Sequence, residues 1–382
     1  MSSNLTENHA ISFAERVLTL LDQGSFTSTY KYAVLLGLMD VVLERTSKNG
    51  IPPDFITTRQ LADKVIEIYW PHSNPFAFNS KNTEMLRQNT RGQAEIIRYI
   101  EKFRSNKKLG ESAPLFTAKH ADSEGYRKLV DQVEWKLIEL PLPRLQRIGK
   151  TPRPFIYEIH WDENITQAQV SAYQKEQQSD FDNRIQLKEN VGEYLVRLNS
   201  LLRPLIQREW SRFVADINQL EEARLQRFLF NTTRAGAAAL CNPLSELQNH
   251  YCFYCHEKIG SNENTKPEVD HFIPWARYPN DSLTNYVVAH SKCNRDKRDH
   301  LAANVHLEHW VERISGNSSI LDGLAIIASD YQWELGEQTS FGVAAAIYQH
   351  LQPEVELWKM GRDFEPVNVK MVNRIFHHGH QK

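Results

Sequence analysis

Three of the four cysteines, Cys252, Cys255 and Cys293, fall in one segment, Tyr251 to Leu301. Cys252-x2-Cys255 and His290-x2-Cys293 each set two ligands two residues apart. That spacing lets both side chains of a knuckle reach one tetrahedral ion, and thiolate and imidazole are donors that Zn2+ prefers. Four protein ligands close the site, which predicts a structural rather than a catalytic zinc. Between the knuckles stand Asp270-His271 and Asn285, and directly after Cys293 come Asn294, Arg295 and Lys297. Asp270 offers a hard oxygen suited to one Mg2+- or Mn2+-like ion, and Asn294 offers a second through its amide. His271 carries an imidazole, the side chain best suited to general-base work near neutral pH.

These residues need elements to position them. Val269 to Pro274 predicts a strand ended by the proline, with Val269, His271 and Ile273 on one face and Asp270 and Phe272 on the other. Arg277 to Ser282 is rich in turn formers, Leu283 to Ala289 predicts a second strand, and Asn294 to Leu301 a short helix opening just after Cys293. The order is strand, loop, strand, helix, with zinc clipping both ends.

Upstream, apolar spacing predicts helices over Ile11 to Leu21, Thr29 to Glu44 and Thr57 to Trp70, the last stopped by Pro71. Lys81 to Lys108 holds eight Lys/Arg against three Glu, with Ile96, Ile97, Ile100 and Phe103 on one stripe. It reads either as a helix with a solvated basic face or as a face that tracks a phosphate backbone. Prolines at 114, 141, 143, 152 and 154 and the alternation from Phe155 to Trp161 predict a small mixed element, a wing or hairpin, over 110–165. A long helix is expected from Asp180 to Asn218, kinked or divided at Pro204. After Leu301 the pattern is helical again. It breaks at Gly316 to Ser319 and ends in a basic tail with His377, His378 and His380, which reads more readily as a loose terminus than as a metal site.

With 382 residues, about two or three domains are expected. Residues 41% hydrophobic and 24% charged exclude a disordered chain, and 45 Lys+Arg against 47 Asp+Glu exclude a generally basic coat, so any nucleic-acid affinity must be local. Four cysteines exclude a disulfide scaffold. The polar, acidic N-terminus lacks a signal-peptide pattern and the longest apolar run is too short to span a bilayer, so a cytoplasmic chain without membrane association is expected.

The segment resembles the HNH endonuclease family. The family's DHxxP appears as Asp270-His271-Phe272-Ile273-Pro274, its central Asn as Asn285, and its CNxxK as Cys293-Asn294-Arg295-Asp296-Lys297. One departure is His290, which stands where a Cys is usual in the zinc-bearing members. The resemblance implies a zinc-clipped ββα-metal domain that hydrolyses phosphodiester bonds, DNA being the expected substrate. His271 would be the general base, Asp270 and Asn294 the ligands of a catalytic Mg2+ or Mn2+, and Asn285 a residue that orients the loop around His271. In-line hydrolysis also needs positive charge near the leaving oxygen. Arg295 and Lys297, with Arg277 from the loop, are the candidates to contact phosphate.

The expected architecture is mainly α with a small α+β part. It comprises helical residues 1–110, a mixed then helical region 111–220 that positions substrate or a partner, the nuclease domain 221–315, and a helical cap with basic tail 316–382. Large accessory regions on HNH proteins resemble those of bacterial restriction or phage-defence nucleases; a regulatory protein partner or an oligomer fits the same picture. The rival reading is a non-catalytic zinc module that binds nucleic acid or protein.

Overall fold

A computed structural model describes residues 2–24, 26–78, 83–106, 113–148, 151–230, 237–316 and 318–378. The chain forms two compact units, one of Met1–Val42 with Pro53–Thr232 and one of Leu43–Pro52 with Thr233–Lys382. Both are mainly helical, and no helix is long and apolar enough to cross a membrane among the described residues.

In the first unit the predicted helices form as Ser2–Gln23, Tyr30–Arg45 and Thr58–Tyr69. The last is started by a capping box: the Gln60 N–H donates to Thr57 Oγ1 at 3.2 Å and the Thr57 N–H to Gln60 Oε1 at 2.9 Å. It packs on Ser123–Glu139, a helix that occupies much of the stretch where a wing or hairpin was expected. Tyr126, Leu129, Val130, Val133 and Leu137 give that segment its buried stripe, and the prolines at 114 and 141 bracket helices rather than strands. The strand expected from Phe155 to Trp161 shrinks to Tyr157–Glu158. The cause is Gln146, whose buried Oε1 accepts the N–H groups of Phe155, Ile156 and Tyr157 at 2.8, 2.6 and 3.2 Å, leaving no regular ladder. Tyr157–Glu158 and Phe55–Thr57 flank Arg184–Leu187 in a three-stranded antiparallel sheet.

The long helix expected from Asp180 is therefore a strand, then a short helix Val191–Arg197, then Asn199–Asn218. The break lies at Leu198, and Pro204 is accommodated inside the second helix. The basic stretch is not one cationic face. Its helix covers only Glu95–Asn106, and Arg104 is buried, stacked 4.0 Å over Trp70 and donating to Asn74 Oδ1 at 2.7 Å. Lys81, Lys107 and Lys108 lie outside the described residues.

In the second unit, strand β1 (Pro267–His271) pairs antiparallel with β2 (Tyr286–His290), Asp270 opposite Val287 and His271 opposite Tyr286. Helix α1 (Ser291–Lys297) follows directly, so Cys293 lies inside its first turn instead of before it. Leu283, Tyr286 and Val288 pack with Ala237, Leu240, Leu244, Leu324 and Ile327 in one core. Helix α2 (Asn304–Ile314) lays Trp310 flat on Phe272, ring centres 4.7 Å apart. The cap holds helices Ser319–Tyr331, Glu337–Gln349 and Val369–His378 and also an unforeseen hairpin, Glu356–Met360 with Asp363–Pro366. That hairpin is tied to the chain just after α1, Trp358 N–H donating to the Leu301 carbonyl and Ala303 N–H to the Trp358 carbonyl. The His-rich tail lies largely outside the described residues.

Candidate metal centre and active site

The two knuckles meet. The ligand atoms of Cys252, Cys255, His290 and Cys293 all lie within 4.8 Å of one another. The first knuckle is a tight turn in which His256 N–H returns to the Cys252 carbonyl at 3.0 Å and Cys252 N–H to the Glu257 carbonyl at 2.9 Å. It docks on β2 through Phe253 N–H to the Val288 carbonyl. The second knuckle spans the end of β2 and the first turn of α1.

His290 faces the cluster through Nδ1, 3.3 Å from Cys255 Sγ, while Nε2–H donates to the Lys258 carbonyl at 3.2 Å. That outer contact fixes the tautomer and ring direction a metal-bound imidazole needs. The Cys252 thiol is pushed down to about 5, because a hydrogen bond from Cys293 outweighs burial. As donor in that pair Cys293 is pushed far up, and burial raises Cys255. Three sulfurs sharing protons around one point, with one imidazole nitrogen turned inward, fit Zn2+, which takes such ligands deprotonated.

The residues between the knuckles divide over the two faces of β1. On one face Asp270 Oδ2 accepts the Tyr254 hydroxyl at 2.5 Å and lies 3.0 Å from Lys297 Nζ. Lys297 also donates to the His271 carbonyl at 2.8 Å and is fully buried. From this buried position Lys297 fastens α1 to β1. One turn earlier on α1, Asn294 Nδ2 donates to Glu268 Oε2 at 3.0 Å. Asp270 and Asn294 thus both lie along the α1–β1 seam, each already engaged by a neighbour. Among the described residues the Cys/His set is the one group of three or more His, Cys, Asp or Glu ligand atoms that converge. Asp270 Oδ1 and Asn294 Oδ1 accept no hydrogen bond among the described residues.

On the other face His271 Nε2 meets Asp281 Oδ1 at 2.9 Å. Its ring is edge-on to Trp275 and Tyr286, centres 5.4 and 4.9 Å away, and 13% of its side chain is exposed. Tyr286 donates to the same Asp281 oxygen at 2.7 Å. Asn285 is fully buried and ties the ends of the intervening loop: Oδ1 accepts the Ile273 N–H at 2.8 Å, and Nδ2 donates to the Ile273 and Asn280 carbonyls at 3.2 and 3.0 Å. These bonds and the Phe272 N–H to the Asn285 carbonyl end β1 at His271, three residues short of the proline expected to end it. Asn285→Ala removes three buried hydrogen bonds at once. A loss of about 2–4 kcal/mol is expected, read as a lower denaturant midpoint at unchanged zinc content.

Arg277 is partly desolvated, which lowers the pKa of its guanidinium, and it makes no side-chain hydrogen bond among the described residues. Arg295 is exposed and donates to Asn264 Oδ1 at 3.0 Å. Sequence reasoning passed over Tyr254, Glu268, Asp281 and Tyr286. Alternation would have put Glu268 on the Asp270 face, but Asp281 sits in a polar turn with no spacing signal toward His271.

Comparison with known families gives the class first: the HNH endonuclease family matches residues 252–303, and the chain carries an HNH-family domain with a Cys/Cys/His/Cys cluster consistent with zinc binding. A second family, described as a domain of unknown function (DUF8808), matches residues 10–230, and the chain belongs to it. No curated protein and no solved structure matches this chain.

Proposed function

We propose that the protein is an HNH endonuclease that hydrolyses phosphodiester bonds in DNA, with a structural Zn2+ and a catalytic Mg2+ or Mn2+. The observation that carries this reading is the placement of His271. Its imidazole stands at the end of a zinc-clipped strand, partly open to solvent and backed by a carboxylate. His271 would take a proton from the water that attacks phosphorus; the P–O bond to the leaving sugar oxygen breaks, and that oxygen is protonated from solvent. A divalent ion held by Asp270 and Asn294 oxygens would neutralise charge on the phosphate and the leaving oxygen. Arg277 and Arg295 would bind the flanking phosphates. Lys297 holds Asp270 and the His271 carbonyl in register, and Asn285 keeps the loop closed behind the base.

A role in bacterial restriction or phage defence is part of the proposal, and it rests on the pairing of an HNH domain with a large accessory region. The test is cleavage of plasmid, single-stranded DNA and RNA by zinc-loaded full-length protein with Mg2+, Mn2+ or excess chelator. Metal-dependent nicking or linearisation of plasmid is expected. Cleavage of RNA alone would move the substrate class. Intact substrates under every condition would favour the non-catalytic zinc module, a reading that the existing engagement of Asp270 by Lys297 and Tyr254 also supports.

A further inference from the structure

We infer that Asp281, held by Tyr286, is a positioning residue that fixes His271 in its Nε2–H tautomer and so leaves Nδ1 as the proton-accepting atom. The inference of a role in cleavage rests on the nuclease reading; the tautomer itself does not.

Asp281 Oδ1 receives two groups, Tyr286 Oη at 2.7 Å and His271 Nε2 at 2.9 Å. An ionised carboxylate only accepts, so both neighbours must donate to it, and a neutral His271 in this contact carries its proton on Nε2. Burial, and next the Asp281 charge, push the Tyr286 hydroxyl far above its ordinary range, so it stays a donor. Nδ1 then holds the free lone pair, and among the described residues it has no hydrogen-bond partner.

The surroundings keep Asp281 in place. Asn280 Oδ1 accepts the Ser282 N–H at 2.8 Å, and Trp333 Nε1–H donates to the Asp281 carbonyl. Tyr286 lies directly opposite His271 in the β1–β2 register, so strand pairing itself brings the second donor to the carboxylate. The arrangement performs for His271 what the Lys258 carbonyl performs for His290 in the zinc cluster, where the hydrogen bond at Nε2 turns Nδ1 toward its target.

The two donors aimed at one oxygen give an unusual expectation for substitution. In Asp281→Asn the tautomer survives in the rotamer that keeps Oδ1 toward Tyr286 and Nε2–H alike. Combining Asp281→Asn with Tyr286→Phe removes the donor that orients the amide, and the NH2 can then face the imidazole and drive the proton to Nδ1. Asp281→Ala removes the acceptor altogether.

The experiment uses zinc-loaded full-length protein with 15N-labelled histidine. Long-range 1H–15N spectra report the tautomer, the His271 signals being assigned by their loss in His271→Gln. Wild type is expected to show Nε2–H, and Asp281→Ala a mixture. In cleavage, Asp281→Ala is expected to lose about 10–100-fold in kcat with little change in KM. Zinc content and thermal melting separate a folding defect from a positioning one.

An Nδ1–H wild-type His271, or a tautomer unchanged in Asp281→Ala, overturns the inference whatever the activity. An altered tautomer with unchanged kcat overturns the positioning role alone. A wild-type protein that shows Nε2–H but cuts nothing overturns the nuclease reading and the role in cleavage, and leaves the tautomer assignment standing.

Discussion

His271→Ala is expected to reduce DNA cleavage by on the order of 10²–10⁴-fold while leaving zinc content unchanged. The size follows from removing the general base; positioning and charge at the phosphate remain and supply the residual rate. Zinc should stay because His271 contributes no atom to the Cys252, Cys255, His290 and Cys293 cluster. The fold should stay as well. The ring makes edge contacts to Trp275 and Tyr286, and Asp281 retains the Tyr286 hydroxyl as a donor after the imidazole is gone. His271→Gln keeps a side chain of similar reach and should be equally inactive, which separates lost chemistry from a lost contact. The check is the initial rate of plasmid nicking beside zinc stoichiometry and a thermal melt for each variant. Wild-type rates in both variants would remove His271 from the mechanism.

The Cys/Cys/His/Cys cluster is legible in the sequence because its signal is local: two residues between donors, twice. The hydrogen bonds around His271 were less so. Period two puts Val269 and His271 on one face of β1, but it says nothing about Asp281, which reaches His271 across a loop shaped by Asn285. In the sequence Lys297 reads as a phosphate contact on a short helix. It is buried because α1 packs directly on β1 and its side chain meets Asp270.

In the first unit, long stripes such as Ile11 to Leu21 and Thr57 to Trp70 gave their helices. The stretch 110–165 departs from its sequence pattern because its prolines begin or end helices, and because one glutamine, Gln146, takes the N–H groups that a ladder would have used. Side-chain capture of backbone donors leaves no periodic trace in a sequence.

Cys293→Ser is expected to drop zinc from near one ion per chain to a small fraction and to unfold the segment around β1, β2 and α1. Structural zinc contributes on the order of 10 kcal/mol or more to small zinc domains, comparable with the whole stability of an ordinary domain. A serine hydroxyl is a poor substitute for a thiolate toward Zn2+, and Cys293 sits where β2 passes into α1. Losing it frees the first knuckle from the second. The knuckle keeps its docking bond from Phe253 to Val288, the bond of the Tyr254 hydroxyl to Asp270 and the aromatic packing of Phe253 and Tyr254. The core of Leu283, Tyr286 and Val288 with Leu240, Leu244 and Leu324 does not depend on the metal, so collapse there should be partial.

Near-ultraviolet signal and tryptophan fluorescence report this directly, since Trp310 packs on Phe272 and donates to the Thr284 carbonyl. Cys241→Ser is the matched control. Cys241 lies outside the cluster, half-buried at the start of a short helix, and its loss should leave zinc bound and the melt nearly unchanged. Equal zinc content and equal melting for Cys293→Ser and Cys241→Ser would refute a structural metal, because a ligand and a bystander thiol cannot then be told apart.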